Sequence, residues 1–111
     1  MIFVTQGRYT EHAMAGMLER PEDRRSVFLQ LLADADVRLI ADYWTMGEYD
    51  FVIIVEAKDE KTWMNVLLLT AATGGVCDLR TSVAISPEDG EASFEAARKL
   101  RSSFRPAGEP E

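Results

Sequence analysis

Alternation between apolar and polar residues predicts four strands along the chain. Residues 2–6 are rich in β-forming side chains, and Gly7 ends that run. Residues 37–45 alternate, residues 50–56 follow a chain reversal at Gly47, and residues 76–85 form the last run. In the second run the alternation predicts two opposite faces, one with Val37, Leu39, Ala41 and Tyr43 and the other with Arg38, Ile40, Asp42 and Trp44.

Helical spacing of apolar residues predicts the elements between these strands. Thr10 caps a short helix that reaches residue 18, and a longer helix begins at Pro21, whose fixed φ suits a first helical turn. Asp59 caps a helix over residues 60–73, and Ser86 caps the last helix. The predicted inner faces are Val27, Phe28, Leu31, Leu32 and Ala35 in the long helix, Met64, Leu67, Leu68 and Ala71 widened by Trp63 and Val66 in the next, and Phe94, Ala97, Leu100 and Phe104 in the last.

The order of elements indicates the fold class. Strand, helix, strand, strand, helix and strand form the ferredoxin-like βαββαβ pattern, an α+β fold, and an extra C-terminal helix follows it. We expect a single domain over residues 1–104. The tail, residues 105–111, is rich in Pro and Glu and is expected to be disordered.

The third strand is apolar on both of its faces. Residues 51–55 read FVIIV, and in a ferredoxin-like sheet this strand is central while both crossover helices lie on one face. Burying one such side chain contributes about 1.5–3 kcal/mol, so leaving two or three in water forfeits on the order of 4–8 kcal/mol. The short last helix is too narrow to cover four strands. We therefore expect a second copy to pack sheet on sheet in a two-fold homodimer, or in a higher oligomer built from such dimers.

Composition and charge narrow the functional classes. The chain has 111 residues, 47% of them hydrophobic and 28% charged, which is typical of one soluble domain. A net charge of -7 disfavours binding to nucleic acid. No apolar run approaches the roughly 20 residues that a bilayer requires, and the first ten residues lack a signal-peptide pattern. With a single cysteine, the protein is expected to be cytoplasmic.

The turn GEYD has two interpretations. In one, Gly47, Glu48, Tyr49 and Asp50 form a structural hairpin corner, with Asp50 accepting backbone hydrogen bonds of the turn. In the other, the carboxylates and the tyrosine lie at a pocket rim, where they act as hydrogen-bond acceptors or as a general base. The sequence alone leaves both open.

His12 and Cys77 are the other residues with reactive side chains. A lone histidine without a second His or a Cys at metal spacing predicts no metal site. Cys77 is expected to be a small buried hydrophobe, because no neighbouring base is visible that would activate its thiol. No phosphate-binding loop or nucleophile elbow is present, so neither a cofactor nor a set of catalytic residues is predicted.

The stretch YWTMGEYDFVIIVEAKDE resembles the GYD domain family, whose glycine, tyrosine and aspartate match Gly47, Tyr49 and Asp50. Further matches over residues 1–86 are GRYT at residues 7–10, Pro21, Glu22, Tyr43, Thr45, EAKD at residues 56–59, Arg80 and Thr81. Ala35 and Asp36 stand where the family usually has glycines. The resemblance implies a dimeric α/β barrel with a cavity between sheet and helices, and it implies no assigned activity.

Polar residues at neighbouring strand ends form the candidate ligand site. The set is Arg8, Tyr9, His12, Tyr43 and Arg80, with Gln6 beside them. If these side chains converge, the arginines suit a small carboxylate or enolate. The alternative is a set of unrelated strand-end residues, with Arg80 in an ion pair.

Three functional classes follow. The first is a homodimeric module that binds a small organic ligand in its cavity. The second is a cofactor-independent oxygenase or isomerase acting on a phenolic or carbonyl compound. The third is a structural or partner-binding dimer. Because no catalytic constellation is visible, the sequence favours the first or the third.

Overall fold

The computed structural model describes residues 1–110 as a sheet with helices on one face. Glu111, the last residue of the predicted tail, lies outside the described residues. The elements are β1 (Ile2–Tyr9), α1 (Glu11–Glu19), α2 (Arg24–Asp34), β2 (Arg38–Trp44), β3 (Phe51–Glu56), α3 (Glu60–Ala72), β4 (Val76–Ala84), α4 (Pro87–Arg98) and a final 3-10 turn (Arg101–Ser103). No helix in this part of the chain combines the length and the apolar character that crossing a bilayer requires.

The four strands form one antiparallel sheet in the order β2-β3-β1-β4. Strands β1 and β3 are central, and α1 and α2 make the first crossover while α3 makes the second. This confirms the ferredoxin-like α+β fold. The sheet is open, with β2 and β4 at its edges.

Side-chain caps set where the helices begin. Thr10, Asp59 and Ser86 each accept a hydrogen bond from the backbone N–H three residues on, as predicted. Asp59 also accepts from the Thr62 hydroxyl, and these bonds lower the pKa of its carboxyl group.

The predicted start of the long helix at Pro21 is wrong. Helix α2 begins at Arg24, because the Asp23 carboxylate accepts from Ser26 N at 3.2 Å and caps the helix there. Arg20, directly before Pro21, offers no acceptor for this role.

The core lies between the sheet and helices α2 and α3. Its buried members are Phe3, Leu32, Val37, Val55, Ala57, Trp63 and Val66. Trp63 is 1% exposed, and its Nε1 donates to Thr5 Oγ1 at 2.9 Å. The Thr5 hydroxyl also shares a hydrogen bond of 2.8 Å with the Thr81 hydroxyl, so the polar atoms buried with the indole are satisfied.

The predicted inner faces of α2 and α3 are partly wrong. Val27 is 53% exposed, whereas Leu32 is the buried residue of α2. On α3, Met64 and Leu68 are more than half exposed, whereas Trp63 and Val66, which were predicted to widen the inner face, are buried. Apolar residues surround much of α3, so helical periodicity alone does not identify the side that faces the sheet.

Strand β2 departs from strict alternation. Leu39 pairs with Val55 and Ala41 pairs with Ile54, so Ile40 is an extra residue in a β-bulge. From Ala41 onward, each side chain therefore lies on the opposite face, relative to Leu39, from the one predicted. Leu39 therefore shares the helix-covered face with Asp42 and Trp44, and Ala41 lies with Tyr43 on the other face.

Helix α2 ends in a left-handed residue that is not glycine. Asp36 has φ of 58°, its N–H donates to Ala33 O, and Val37 N donates to Leu32 O at 2.9 Å. These are the two bonds of a Schellman motif, in which glycine is the usual residue at the left-handed position. Asp36, which stands where the GYD family usually has glycine, therefore occupies a position with positive φ.

Replacing Asp36 with glycine is expected to raise the free energy of unfolding by about 0.5–1 kcal/mol, because it removes the steric cost of the left-handed backbone. Asp34→Gly is the matched control, since residue 34 is helical and glycine there should lower stability by a similar amount. Urea denaturation measures both. A loss of stability in Asp36→Gly would contradict the prediction.

The face of the sheet opposite the helices is called the open face. From β4 to β2 its central row is Ser82, Val4, Ile54 and Ala41, and the next row is Arg80, Gln6, Val52 and Tyr43. The C-terminal helix does not cover these rows, because α4 has no buried residue. The apolar side chains Val4, Val52 and Ile54 are therefore only half-buried within one chain.

Candidate functional site

Asp50 joins the β2–β3 hairpin to the end of β1. Its Oδ2 accepts from Tyr9 N at 2.9 Å, and its own N–H donates to Gly7 O at 2.8 Å. Its carbonyl accepts from Thr45 N at 2.8 Å. The aspartate of the GEYD turn thus holds two chain segments that are 41 residues apart in sequence, rather than only its own turn.

The rest of the turn is shaped around this aspartate. Thr45 Oγ1 donates to Tyr49 O at 2.6 Å, which closes the hairpin. Gly47 has φ of 156°, a positive value as predicted, which L side chains rarely adopt. Glu48 is exposed, and Tyr49 is half-buried beside Arg8.

Gly7 allows a close approach at the end of β1. A Cβ at this position would lie 2.6 Å from both Leu79 Cδ2 and Phe51 Cζ, so a larger residue would displace two side chains. On β4, Asp78 and Leu79 together oppose Gly7, because Arg80 pairs with Gln6 and Cys77 pairs with Arg8. This bulge explains the left-handed backbone of Asp78, whose φ is 51°.

Arg8 carries an unpaired polar atom. Its Nε is buried and has no hydrogen-bond acceptor among the described residues. The Asp78 carboxylate is 3.9 Å away, which is too far for a hydrogen bond, and the guanidinium carbon lies 5.8 Å from the centre of the Tyr49 ring. Buried donors of this kind are rare in folded proteins.

A cleft of about 490 Å³ opens beside Arg8. It is lined by Arg8, Glu48, Tyr49, Asp78, Leu79 and Arg80. Two basic and two acidic side chains therefore share its wall with an aromatic ring and a leucine. Sequence reasoning missed Asp78 and Leu79 as part of this site. The available signal was Asp78 itself, an acid in the middle of a predicted strand.

The other members of the candidate ligand set lie elsewhere. The Tyr9 ring lies 5.1 Å from the Phe51 ring, centre to centre and tilted by 47°, on the helix-covered face, and burial raises the pKa of its phenol. Tyr43 is 66% exposed on the open face. It shares a row with Arg80, but the two residues lie on opposite edge strands, about 14 Å apart at the usual strand spacing. His12 is exposed on α1. Of the five residues, the structure brings only Arg8 and Arg80 into one cleft.

The cavity expected between the sheet and the helices is occupied where α2 and α3 cover the sheet. Leu32, Val55, Trp63 and Val66 fill that space as part of the core. Within residues 1–110, no three His, Cys, Asp or Glu side chains group as a metal site would require. Cys77 pairs with Arg8 across the strands and is half-buried.

The chain is similar in sequence or structure to several known proteins. The chain is 34% identical over 74 residues to the glutamine synthetase and cystathionine beta-lyase binding protein of Thermus thermophilus, covering 67% of this chain and 78% of that protein. A transcriptional regulator of Neisseria meningitidis, solved with L-Met, has 15% identity and a TM-score of 0.49 over 78% of this chain, which spans half of the regulator's length. The GYD domain family model matches residues 3–93. The chain therefore belongs to the GYD domain family.

Proposed function

We propose that this protein is a homodimeric binding protein that holds a small organic anion in the cleft beside Arg8. The observation that carries the proposal is the cleft that Arg8 lines with a side chain that is 43% exposed and has its nearest carboxylate, Asp78, 3.9 Å away. The terminal N–H groups of a guanidinium donate charge-assisted hydrogen bonds to a carboxylate. Arg80 lines the same cleft and supplies a second guanidinium.

The lining indicates the chemistry of the ligand. Guanidinium groups match carboxylates because their paired N–H groups donate two parallel hydrogen bonds. The Tyr49 ring and Leu79 offer apolar contact to the rest of the molecule. Glu48 and Asp78 balance the two arginines, which disfavours a multiply charged anion such as a polyphosphate. The ligand we infer is a small monocarboxylate with an apolar or aromatic portion.

The open face supports a second copy of the chain as the partner. Apolar side chains on this face, those of Val4, Val52 and Ile54, are covered neither by α4 nor by the other helices. Arg80 is in the row next to Val4 and Ile54, so a second sheet packed on this face would border the cleft and restrict its access to water. Light scattering at micromolar concentration should give twice the chain mass of 12.4 kDa. A monomer would contradict the dimer.

The ligand proposal is tested by native mass spectrometry of freshly purified protein, followed by calorimetric titration with the small carboxylate identified. Arg80→Ala should weaken binding about 10- to 100-fold, since charged hydrogen bonds contribute about 1.5–3 kcal/mol. Arg38→Ala is the matched control, because Arg38 pairs with Glu56 at 3.0 Å in the row farthest from Arg80. A ligand-free mass, or equal affinity in both variants, would contradict the proposal.

A protein partner is the second candidate, and the Thermus thermophilus relative favours it. That relative is named as a binding protein for two metabolic enzymes and is 34% identical to this chain. The corresponding proposal is that this chain docks on the glutamine synthetase of its own organism. Co-sedimentation of the two purified proteins tests it, and independent sedimentation at micromolar concentrations would remove this candidate.

A further inference from the structure

Helix α4 and the turn after it form a surface that the described chain leaves uncovered. The side chains of Phe94, Leu100 and Phe104 are 81%, 65% and 76% exposed. The radius of gyration is 18.9 Å, against about 13 Å for a compact chain of this length. The segment therefore projects from the domain with an apolar stripe in water, and such surfaces commonly mark a contact with another protein.

Charge is divided sharply along this segment. Residues 87–96 contain Glu88, Asp89, Glu91 and Glu95 and no basic residue. Residues 97–104 contain Arg98, Lys99 and Arg101 and no acidic residue. The first half therefore has a charge of -4 and the second half a charge of +3. A segment of this kind is complementary to a second copy of itself that runs in the opposite direction.

The helix macrodipole explains part of this arrangement. Acids in a first turn and a base in a last turn stabilise an isolated helix, and Arg98 also pairs with Glu95 of the same helix at 3.7 Å. The macrodipole gives no reason for Phe94, Leu100 and Phe104 to be exposed. Charge and apolar stripe together therefore point to a contact beyond the described residues.

We propose that α4 and the turn after it pair antiparallel with the same segment of a second copy of this chain. In that pair the acidic half of each segment, which lies on α4, faces the basic half of the other, which includes the turn after α4. Phe94, Ala97 and Leu100 are covered between the two segments. A parallel pair would place like charges side by side. A two-fold axis through the middle of the segment generates the antiparallel arrangement, which is the symmetry that a self-complementary surface requires.

The apolar stripe of this contact lies beyond the residues that match the family model, whereas Glu88, Asp89 and Glu91 of the acidic half lie within them. The GYD model ends at Ser93, and the stripe begins at Phe94. The stripe is small beside the 1,200–2,000 Å² or so that stable interfaces bury, so the pair is expected to be weak alone and is best detected by covalent trapping. It does not depend on the proposed packing of the open faces.

Disulfide trapping tests the pairing in the full chain. Two single-cysteine proteins are made in the Cys77→Ser background, one with Ala97→Cys in the stripe and one with Ala92→Cys. Both alanines are exposed, and five residues of α-helix separate them by about 140° around the axis. Under oxidised glutathione, disulfide-linked pairs should form at least about ten times faster at position 97, because only that position faces the second copy. Equal rates at the two positions would overturn the proposal.

Charge exchange tests whether complementary charges hold the pair together. In the Ala97→Cys protein, one variant carries Glu88→Lys, Glu91→Lys and Glu95→Lys, and another carries Arg98→Glu, Lys99→Glu and Arg101→Glu. Because the segment of the first variant is then basic except for Asp89 and that of the second is acidic, a mixture should give mainly mixed disulfides, and raising the salt concentration should reduce that preference. A statistical mixture would overturn the charge pairing. Neither test depends on the dimer proposed for the open face. If either test fails, the mass of that dimer in light scattering is unaffected.

Discussion

Trp63→Ala is expected to lower the free energy of unfolding by about 3–5 kcal/mol. The indole is 1% exposed between α3 and the sheet, and alanine would leave a cavity of most of its volume. The change also removes the donor to Thr5 Oγ1. Since domains of this size are stable by about 5–15 kcal/mol, the loss should appear as a much lower midpoint in urea denaturation.

Met64→Ala is the control for this experiment. Residue 64 is the next position on α3, and its side chain is 55% exposed. Its replacement should change stability by no more than about 0.5 kcal/mol. If Trp63→Ala does not fold, Trp63→Phe gives a smaller loss in the same direction. Equal losses at positions 63 and 64 would mean that α3 buries Met64 as well as Trp63.

Ile54→Lys is expected to dissociate the proposed homodimer. Ile54 is in the central row of the open face, where a second sheet would bury a charge without a partner. Disruption at the centre of an interface typically costs about 2–4 kcal/mol, which raises the dissociation constant about 30- to 1,000-fold. The mass from light scattering should fall to 12.4 kDa at low micromolar concentration, while circular dichroism keeps its native shape.

Val83→Lys controls for a general effect of adding lysine to the sheet. Val83 is on β4, pairs with Phe3 and is 56% exposed on the helix-covered face. Its replacement should leave the mass unchanged. An Ile54→Lys protein with the mass of the wild type would show that the open face is not the contact between copies.

The sequence predicted those parts of the fold that local interactions determine. Thr10, Asp59 and Ser86 cap helices through bonds only three residues away, so their effect is visible in a short stretch of sequence. The order of elements followed from periodicity in the same way. The extra residues Ile40 and Asp78 were not predicted, because a bulge is defined by the register against a neighbouring strand.

The candidate site was predicted less well, for a related reason. Arg8 and Arg80 were candidate ligand-binding residues, and the structure places both in one cleft. Their neighbours depend on how β1 pairs with β4 and on where the hairpin ends. Tyr9 is adjacent to Arg8 in sequence but points to the opposite face, since successive side chains of a strand alternate. Which residues line the site therefore depends on strand register, and strand register cannot be inferred from a local sequence pattern.

The positions of the two bulges have a consequence for solubility. Both extra residues occur on edge strands, Ile40 on β2 and the Asp78 segment on β4. An edge strand offers free backbone groups to any extended chain, and a bulge bends and twists that strand so that further strands add poorly. The sheet is therefore protected at both margins against edge-to-edge growth into fibrils, although its apolar open face can still receive another sheet.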